Sequence, residues 1–153
     1  MRRILAVLLM SGLAGTASAC AEPEVWAKSL FTEHYEFYAG EPDAAVQALT
    51  TEQFGALLRQ EAAYADGEVG HLGYDPWLGA QDGEIASPRF SVESRDETVA
   101  VVAMSFRLKM SEDEAGRASA AHLVLHKAEG GCWLLNEFVT PLGESLSFLF
   151  SQP

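Results

Sequence analysis

Basic residues are scarce in this sequence. It contains 10 Lys and Arg residues against 22 Asp and Glu residues among 153, which gives a formal net charge of −12 at pH 7. Nucleic-acid binding rests on the neutralisation of phosphates by Lys and Arg, so this balance argues against a nucleic-acid partner and against adsorption to anionic lipid. The acidic residues are spread along the chain rather than clustered, which predicts a well-solvated surface.

The sequence also lacks the established motifs of catalysis and cofactor binding. It has no Gly-rich phosphate loop, no Gly-x-Ser-x-Gly, no Cys-x-x-Cys and no His-Glu-x-x-His. His122 and His126 are four residues apart, but the surrounding pattern is that of a strand, in which four residues span about 13 Å. These two histidines therefore cannot share one metal ion, and we predict neither a metal nor a cofactor.

Long apolar runs are missing after the N-terminus. The first residues, MRRILAVLLMSGLAGTASACAEPEV, combine two arginines, a short apolar segment over residues 4–10 and two overlapping Ala-x-Ala sites. This combination predicts a secretory signal peptide over residues 1–21, cut after residue 19 or residue 21. Its apolar run is too short for a good membrane span, and no later segment could cross a bilayer. We therefore expect a periplasmic or secreted protein of the bacterial envelope.

Only two cysteines are present, Cys20 and Cys132. If cleavage spares Cys20, the two could form a disulfide in an oxidising compartment. Because Cys20 directly follows Ala-Ser-Ala, it also resembles the acylated cysteine of a bacterial lipoprotein, although Ala17 stands where such proteins usually have leucine. If Cys20 is acylated or removed, Cys132 becomes a lone thiol of the kind that is usually a small buried residue.

Helical spacing of apolar residues dominates the first half of the mature chain. Apolar side chains from Trp26 to Tyr38 predict a helix that begins near Pro23 and stops before Gly40. A short helical turn follows. Thr50, with a glutamine three residues later, predicts the capping box of a longer helix that ends at residues 66–67.

From residue 88 onward, the apolar period changes to two. Four consecutive strands are predicted, RFSVES, TVAVVAMSFRL, ASAAHLVLHKA and CWLLNEFVT, and the turns between them are short enough for antiparallel hairpins. A short helix or tail, LGESLSFLF, closes the chain. The sequence thus predicts a single α+β domain over residues 22–153, in which N-terminal helices pack on a curved, four-stranded antiparallel sheet and enclose a cone.

The irregular stretch GYDPWLGAQDGE, residues 73–84, is the candidate site. Asp75 and Asp82 each stand in a turn signal, so they could bracket a turn while Trp77 plugs the core. Alternatively, one of these carboxylates, at the mouth of an apolar cone beside Tyr35 and Tyr38, could act as a general base with a raised pKa.

Several stretches resemble a bacterial family of exported proteins and lipoproteins, domain of unknown function 3828. They are HYEFYAG, LTTEQFGALLRQE, DPWLGAQD and HLVLHKAEGGCWLLNEF, within about residues 26–140. The resemblance implies a nuclear-transport-factor-two-like (cystatin-like) α+β cone. Asp75, Trp77, Gln81 and Asp82 match the family's Asp-x-Phe-Leu-x-x-Gln-Asp theme, with no role attached. Leu134 departs from the lysine that the family usually has there.

Three functional hypotheses follow. The first is a non-enzymatic binding or envelope-accessory module whose partner is an unknown protein or small ligand. The second is a cone-pocket enzyme, similar to an isomerase or dehydratase, that uses an aspartate with a tyrosine. The third is an immunity or complex-assembly protein whose acidic surface meets a basic partner. An inward-facing Asp, His or Tyr in an open cavity would favour the enzyme, and a filled interior would argue against it.

Overall fold

Helices precede strands in the computed structural model, which describes residues 20–153. The elements are α1 (Pro23–Glu33), α2 (Ala44–Leu49), α3 (Glu52–Ala65), β1 (Glu84–Arg95), β2 (Val99–Lys109), β3 (Arg117–Lys127), β4 (Trp133–Val139) and α4 (Leu146–Phe150). The predicted α+β class with four antiparallel strands is confirmed. The predicted signal peptide lies, up to residue 19, outside the described residues. None of the described helices has the length and apolar character needed to cross a membrane.

The first helix is shorter than its apolar pattern predicts. It ends at Glu33, and His34 leaves the helical region with φ −135° and ψ 44°. The prediction that it continues to Gly40 is wrong, because Tyr35 is held by contacts from residues 75–77 that a continuous helix would break. Phe37 still reaches the core from the turn that follows α1.

The predicted cap of α3 is displaced by one residue. Thr51, not Thr50, is the N-cap, and its hydroxyl accepts a hydrogen bond from the Phe54 amide at 3.3 Å. Thr50 is instead buried in a parallel bridge with Leu135 of β4. The bridge requires extended backbone at Thr50, so the helix begins one residue later than the capping-box pattern suggests.

The four strands form an antiparallel meander in the order β1-β2-β3-β4. Alternate residues of β2 and β3 face the helices, and a register shift interrupts this alternation in β4. This inner face supplies much of the core. Its fully or almost fully buried members include Ala100, Val102, Met104, Phe106, Leu108, Ala121, Leu123, Leu125, Trp133, Leu135 and Phe138. The outer face carries the intervening residues, among them Ser105 and Arg107, which are exposed.

Strand β1 begins at Glu84, five residues before the predicted strand RFSVES, and therefore includes Pro88. Ser87 and Pro88 stand opposite Phe106 alone, because the register passes from Ala86–Arg107 to Arg89–Ser105. This is a β-bulge, and it occurs on an edge strand, where a residue without an N–H group is tolerated. The bulge lets the strand continue through the proline.

The two edges of the sheet are protected in different ways. On β4, the Thr51 amide donates to the Leu135 carbonyl at 2.9 Å, so the α2–α3 junction covers part of that edge. On β1, two register shifts, Pro88 and charged side chains interrupt the open edge. Such features hinder pairing with a strand of another chain.

Cys20 and Cys132 form a disulfide, one of the alternatives that the sequence leaves open. Their Cα atoms are 5.0 Å apart, and the two residues are 112 positions apart in the sequence. The bond ties the segment before α1 to the turn between β3 and β4. Nearby, Arg95 pairs with Glu22 at 2.5 Å, and its guanidinium lies over the Trp133 ring. A sulfur in this bond cannot also carry a lipid, so the disulfide and a lipid anchor exclude each other.

Candidate functional site

The candidate loop, residues 73–84, closes on itself around Asp75. The Asp75 amide donates to the Ala80 carbonyl at 3.0 Å, and the Gly79 amide donates to the Asp75 carbonyl at 2.8 Å. The Asp75 carboxylate accepts from the Trp77 amide at 2.8 Å, which is an Asx turn. Gln81 fastens the base of the loop by donating to the Gly73 carbonyl at 3.1 Å. Asp75 is therefore the residue that shapes this loop.

Asp82 has no such role. It lies exposed at the end of the loop, and its carboxylate makes no hydrogen bond with any residue in the described part of the chain. Of the two aspartates that could bracket the turn, only Asp75 does so.

Trp77 fills the space between the helices and the sheet. Its side chain is 0% exposed, and its ring packs edge-to-face on Phe138 at 4.7 Å and on Phe31 at 5.2 Å. The indole Nε1 donates to the Tyr35 carbonyl at 2.8 Å, so the one polar group of the buried ring has a hydrogen-bond partner. The interior beside Asp75 is thus occupied by protein.

A short hydrogen bond joins Tyr35 to Asp75. The Tyr35 hydroxyl donates to Asp75 Oδ2 at 2.6 Å. Burial, and then this hydrogen bond to a carboxylate, raise the pKa of Tyr35 far above its ordinary value. Burial, followed by the charges of Asp75 and Glu36, raises the pKa of Tyr38 to about 12. A general base works best with a pKa near the operating pH, so neither of these phenols is suited to act as a base near neutral pH.

The contacts of Tyr35 position an acidic groove. We use this name for the cavity of about 470 Å³ that lies between the end of α1 and the start of α2. It is lined by Thr32, Glu33, His34, Tyr35, Glu36, Phe37, Ala39, Glu41, Pro42, Asp43 and Val46. Four of these residues carry carboxylates, and the described lining includes neither lysine nor arginine. Because Tyr35 is fixed by Asp75 and Trp77, the candidate loop supports the groove without lining it.

A comparison with known protein families, with curated proteins and with solved structures finds no match for this chain. The resemblance to domain of unknown function 3828 and to its cone-shaped fold therefore stays a prediction.

A buried Glu–His pair joins α3 to the loop that follows it, and no sequence motif indicates it. Glu61 is 6% exposed, and its Oε2 lies 2.6 Å from His71 Nδ1 while its Oε1 accepts from the His71 amide at 2.7 Å. Tyr64 stacks on the imidazole at 4.0 Å between ring centroids. Gly70 is required beside the pair, because a Cβ there would lie 2.1 Å from Glu61 Oε1. The only signal in the sequence is a glutamate on the apolar side of α3.

The tyrosines predict a loss of stability at alkaline pH. The pKa of Tyr74 is raised to about 12, by burial and then by its hydrogen bond to Glu144, and burial also raises the pKa values of Tyr35 and Tyr38 above the ordinary value of 10.0. The folded protein keeps these protons at pH values where the unfolded chain has lost them. The free energy of unfolding should therefore be unaffected by these groups below about pH 10 and fall as the pH rises further.

Urea unfolding between about pH 8 and about pH 11.5 measures this effect. The Tyr38→Phe/Tyr74→Phe variant should show a shallower decline above about pH 10 than the wild type, since two of the shifted groups are gone. An identical decline in both proteins would contradict the assignment.

Proposed function

We propose that the protein is an exported, non-enzymatic binding domain whose partner is a basic segment of another envelope protein. The acidic groove is the observation that carries this proposal. Glu33, Glu36, Glu41 and Asp43 surround one cavity, and no cationic side chain of the described lining offsets their charge. Lysine and arginine side chains of a partner are the chemical groups that complement such a surface.

The charge of the whole molecule supports the same partner. The formal net charge is −12, and removal of the predicted signal peptide, which holds two arginines and no acidic residue, brings it to −14. A field of this sign increases the rate at which a cationic segment meets the protein, and salt screens it. An immunity or complex-assembly protein is one form of this proposal, with a single dedicated basic partner.

The position of Glu33 supports a functional origin for the groove. Glu33 is the last residue of α1, and no basic residue stands in that turn. The C-terminal end of a helix carries partial negative charge, so a glutamate there is unfavourable for the stability of the helix. Residues that disfavour the fold locally are expected at functional sites.

Export is the second part of the proposal. The predicted signal peptide supports it, and the Cys20–Cys132 disulfide is suited to an oxidising compartment. Cleavage after residue 19 leaves Cys20 in the mature protein, whereas cleavage after residue 21 removes it. We therefore propose residue 19 as the site, in a periplasmic or secreted protein without a lipid anchor. The cone-like form implied by the family resemblance remains part of this proposal.

A charge-matched pair of variants tests the groove. Glu36→Gln/Glu41→Gln removes two of its carboxylates, and Glu97→Gln/Glu129→Gln removes two exposed carboxylates from turns of the sheet, so both change the net charge equally. Calorimetry measures binding of a short synthetic peptide of alternating lysine and alanine. We expect the groove variant to bind about fivefold more weakly than the wild type, which corresponds to roughly 0.5 kcal/mol for each exposed ion pair.

The turn variant should retain binding close to that of the wild type. A peptide with glutamate in place of lysine should not bind at all, and added salt should weaken the lysine peptide. If the two variants lose affinity equally, the overall charge rather than the groove attracts the peptide, and the proposed site is wrong.

A further inference from the structure

A basic pocket lies on the outer face of the sheet, away from the acidic groove. It is a cavity of about 350 Å³ lined by Ser87, Arg89, Ser105, Phe106 and Arg107. We infer that this basic pocket binds a tetrahedral oxyanion, a phosphate or sulfate group, between its two arginines.

The strand register brings the two arginines together. Arg89 of β1 stands opposite Ser105 of β2, and Arg107 follows Ser105 on the same face of β2 two residues later. Arg89 and Arg107 are thus diagonal neighbours, a relation in which Cα atoms are about 7–8 Å apart and long side chains reach each other. One oxyanion between the guanidinium groups can accept hydrogen bonds from both.

Neither arginine forms an ion pair with a carboxylate in the part of the chain that the structure describes. The chain has 22 acidic residues, yet the ion pairs found within residues 20–153 are His71–Glu61, Arg95–Glu22 and His122–Glu93. Two adjacent positive charges on one face of a sheet repel each other. A bound anion removes this repulsion and accounts for the pairing of two cations in a strongly acidic protein.

Arg107 is fixed before any ligand arrives. Its Nε donates to the Ala115 carbonyl at 3.1 Å and its Nη2 donates to the Gly116 carbonyl. These bonds hold the guanidinium plane against the β2–β3 turn and leave Nη1 available as a donor. Less side-chain entropy is therefore lost when the anion binds.

The bulge in β1 brings hydroxyl groups to the same pocket. Ser87 has φ 53°, a left-handed conformation that is unusual for a residue other than glycine. Such strain costs about 1–3 kcal/mol and is concentrated at functional sites, where bulges redirect side chains. The hydroxyls of Ser87 and Ser105 have no hydrogen-bond partner among the described residues, so both can donate to an anion.

The net charge of the protein restricts the ligand. A polyanion would be repelled by the surrounding acidic surface. The pocket therefore suits inorganic phosphate or a phosphate ester whose organic part is small and uncharged.

Calorimetric titration in low-chloride buffer, with inorganic phosphate and with glycerol 3-phosphate, tests the inference. Arg89→Gln should weaken binding about tenfold or more, since a hydrogen bond to a charged group contributes roughly 1.5–3 kcal/mol. The exposed Arg89 side chain makes neither a hydrogen bond nor an ion pair with another residue of the described region, so we expect the Arg89→Gln variant to fold. Arg59→Gln, an exposed arginine of α3, is the charge-matched control and should bind like the wild type.

The two ligands distinguish the source of the anion. Equal affinity identifies the free ion as sufficient, and tighter binding of the ester identifies a phosphate carried by a small molecule. Absence of millimolar binding of both ligands to the wild type would overturn the inference. So would an equal loss of affinity in Arg59→Gln and Arg89→Gln, because it would show that the anion responds only to overall charge.

Discussion

Replacement of Trp77 by alanine should lower the free energy of unfolding by about 3–5 kcal/mol, the range for deletion of a fully buried large aromatic side chain. The ring is 0% exposed and packs on Phe31, Tyr35, Phe37 and Phe138. Its removal leaves a cavity between α1 and the sheet that rigid neighbours can fill only in part. Urea unfolding at neutral pH measures the loss.

Trp77→Phe is the matched control. It keeps an aromatic ring in the core but loses the hydrogen bond from Nε1 to the Tyr35 carbonyl, so it should be much less destabilising than alanine. The alanine variant should also bind the lysine peptide more weakly, because Tyr35 lines the acidic groove and Trp77 holds its backbone. A stability loss below about 1 kcal/mol in Trp77→Ala would mean that the loop does not plug the core.

Loss of the disulfide should also lower the stability of the protein strongly. Cys132→Ser should lower the free energy of unfolding by about 2–5 kcal/mol, the usual result for a small secreted domain. The bond joins residues that are 112 positions apart and so closes most of the mature chain into a loop, which restricts the unfolded ensemble strongly. Urea unfolding with and without reductant measures this difference.

Reductant is the internal control for this prediction. It should destabilise the wild type and leave Cys132→Ser unchanged, because the variant has no bond to reduce. The intact mass of the mature protein should correspond to a chain that begins at Cys20 and lacks two hydrogens. A chain that begins at residue 22, or a lipid on Cys20, would refute the proposed cleavage site.

The strands and the long helix could be predicted because their signals are local. The alternation of apolar residues places β2 within one residue of its observed limits, Val99–Lys109. The end of α1 could not be predicted in this way, because Tyr35 is held by Asp75, forty residues away in the chain. Thr51 replaces Thr50 as the cap for the same reason, since Leu135 of β4 competes for Thr50.

The candidate sites show the same difference between features that depend on local signals and features that depend on long-range contacts. The sequence indicates residues 73–84 as unusual, and the structure shows that Asp75 and Trp77 serve the fold there. The acidic groove is formed by a turn whose path depends on those long-range contacts. The basic pocket depends on the pairing of Arg89 with Ser105 across two strands, and periodicity predicts strands without giving their register.

The bulge at Ser87 and Pro88 restricts which substitutions residues 86–89 can accept. The same two residues interrupt the open edge of β1 and place Ser87 in the lining of the basic pocket with Arg89 and Arg107. A substitution that straightened residues 86–89 would disrupt the basic pocket. It would also make the open edge of β1 more regular, and regular edges promote aggregation. One irregularity thus contributes both to the protection of the sheet edge and to the proposed anion site, and selection for either property would preserve both.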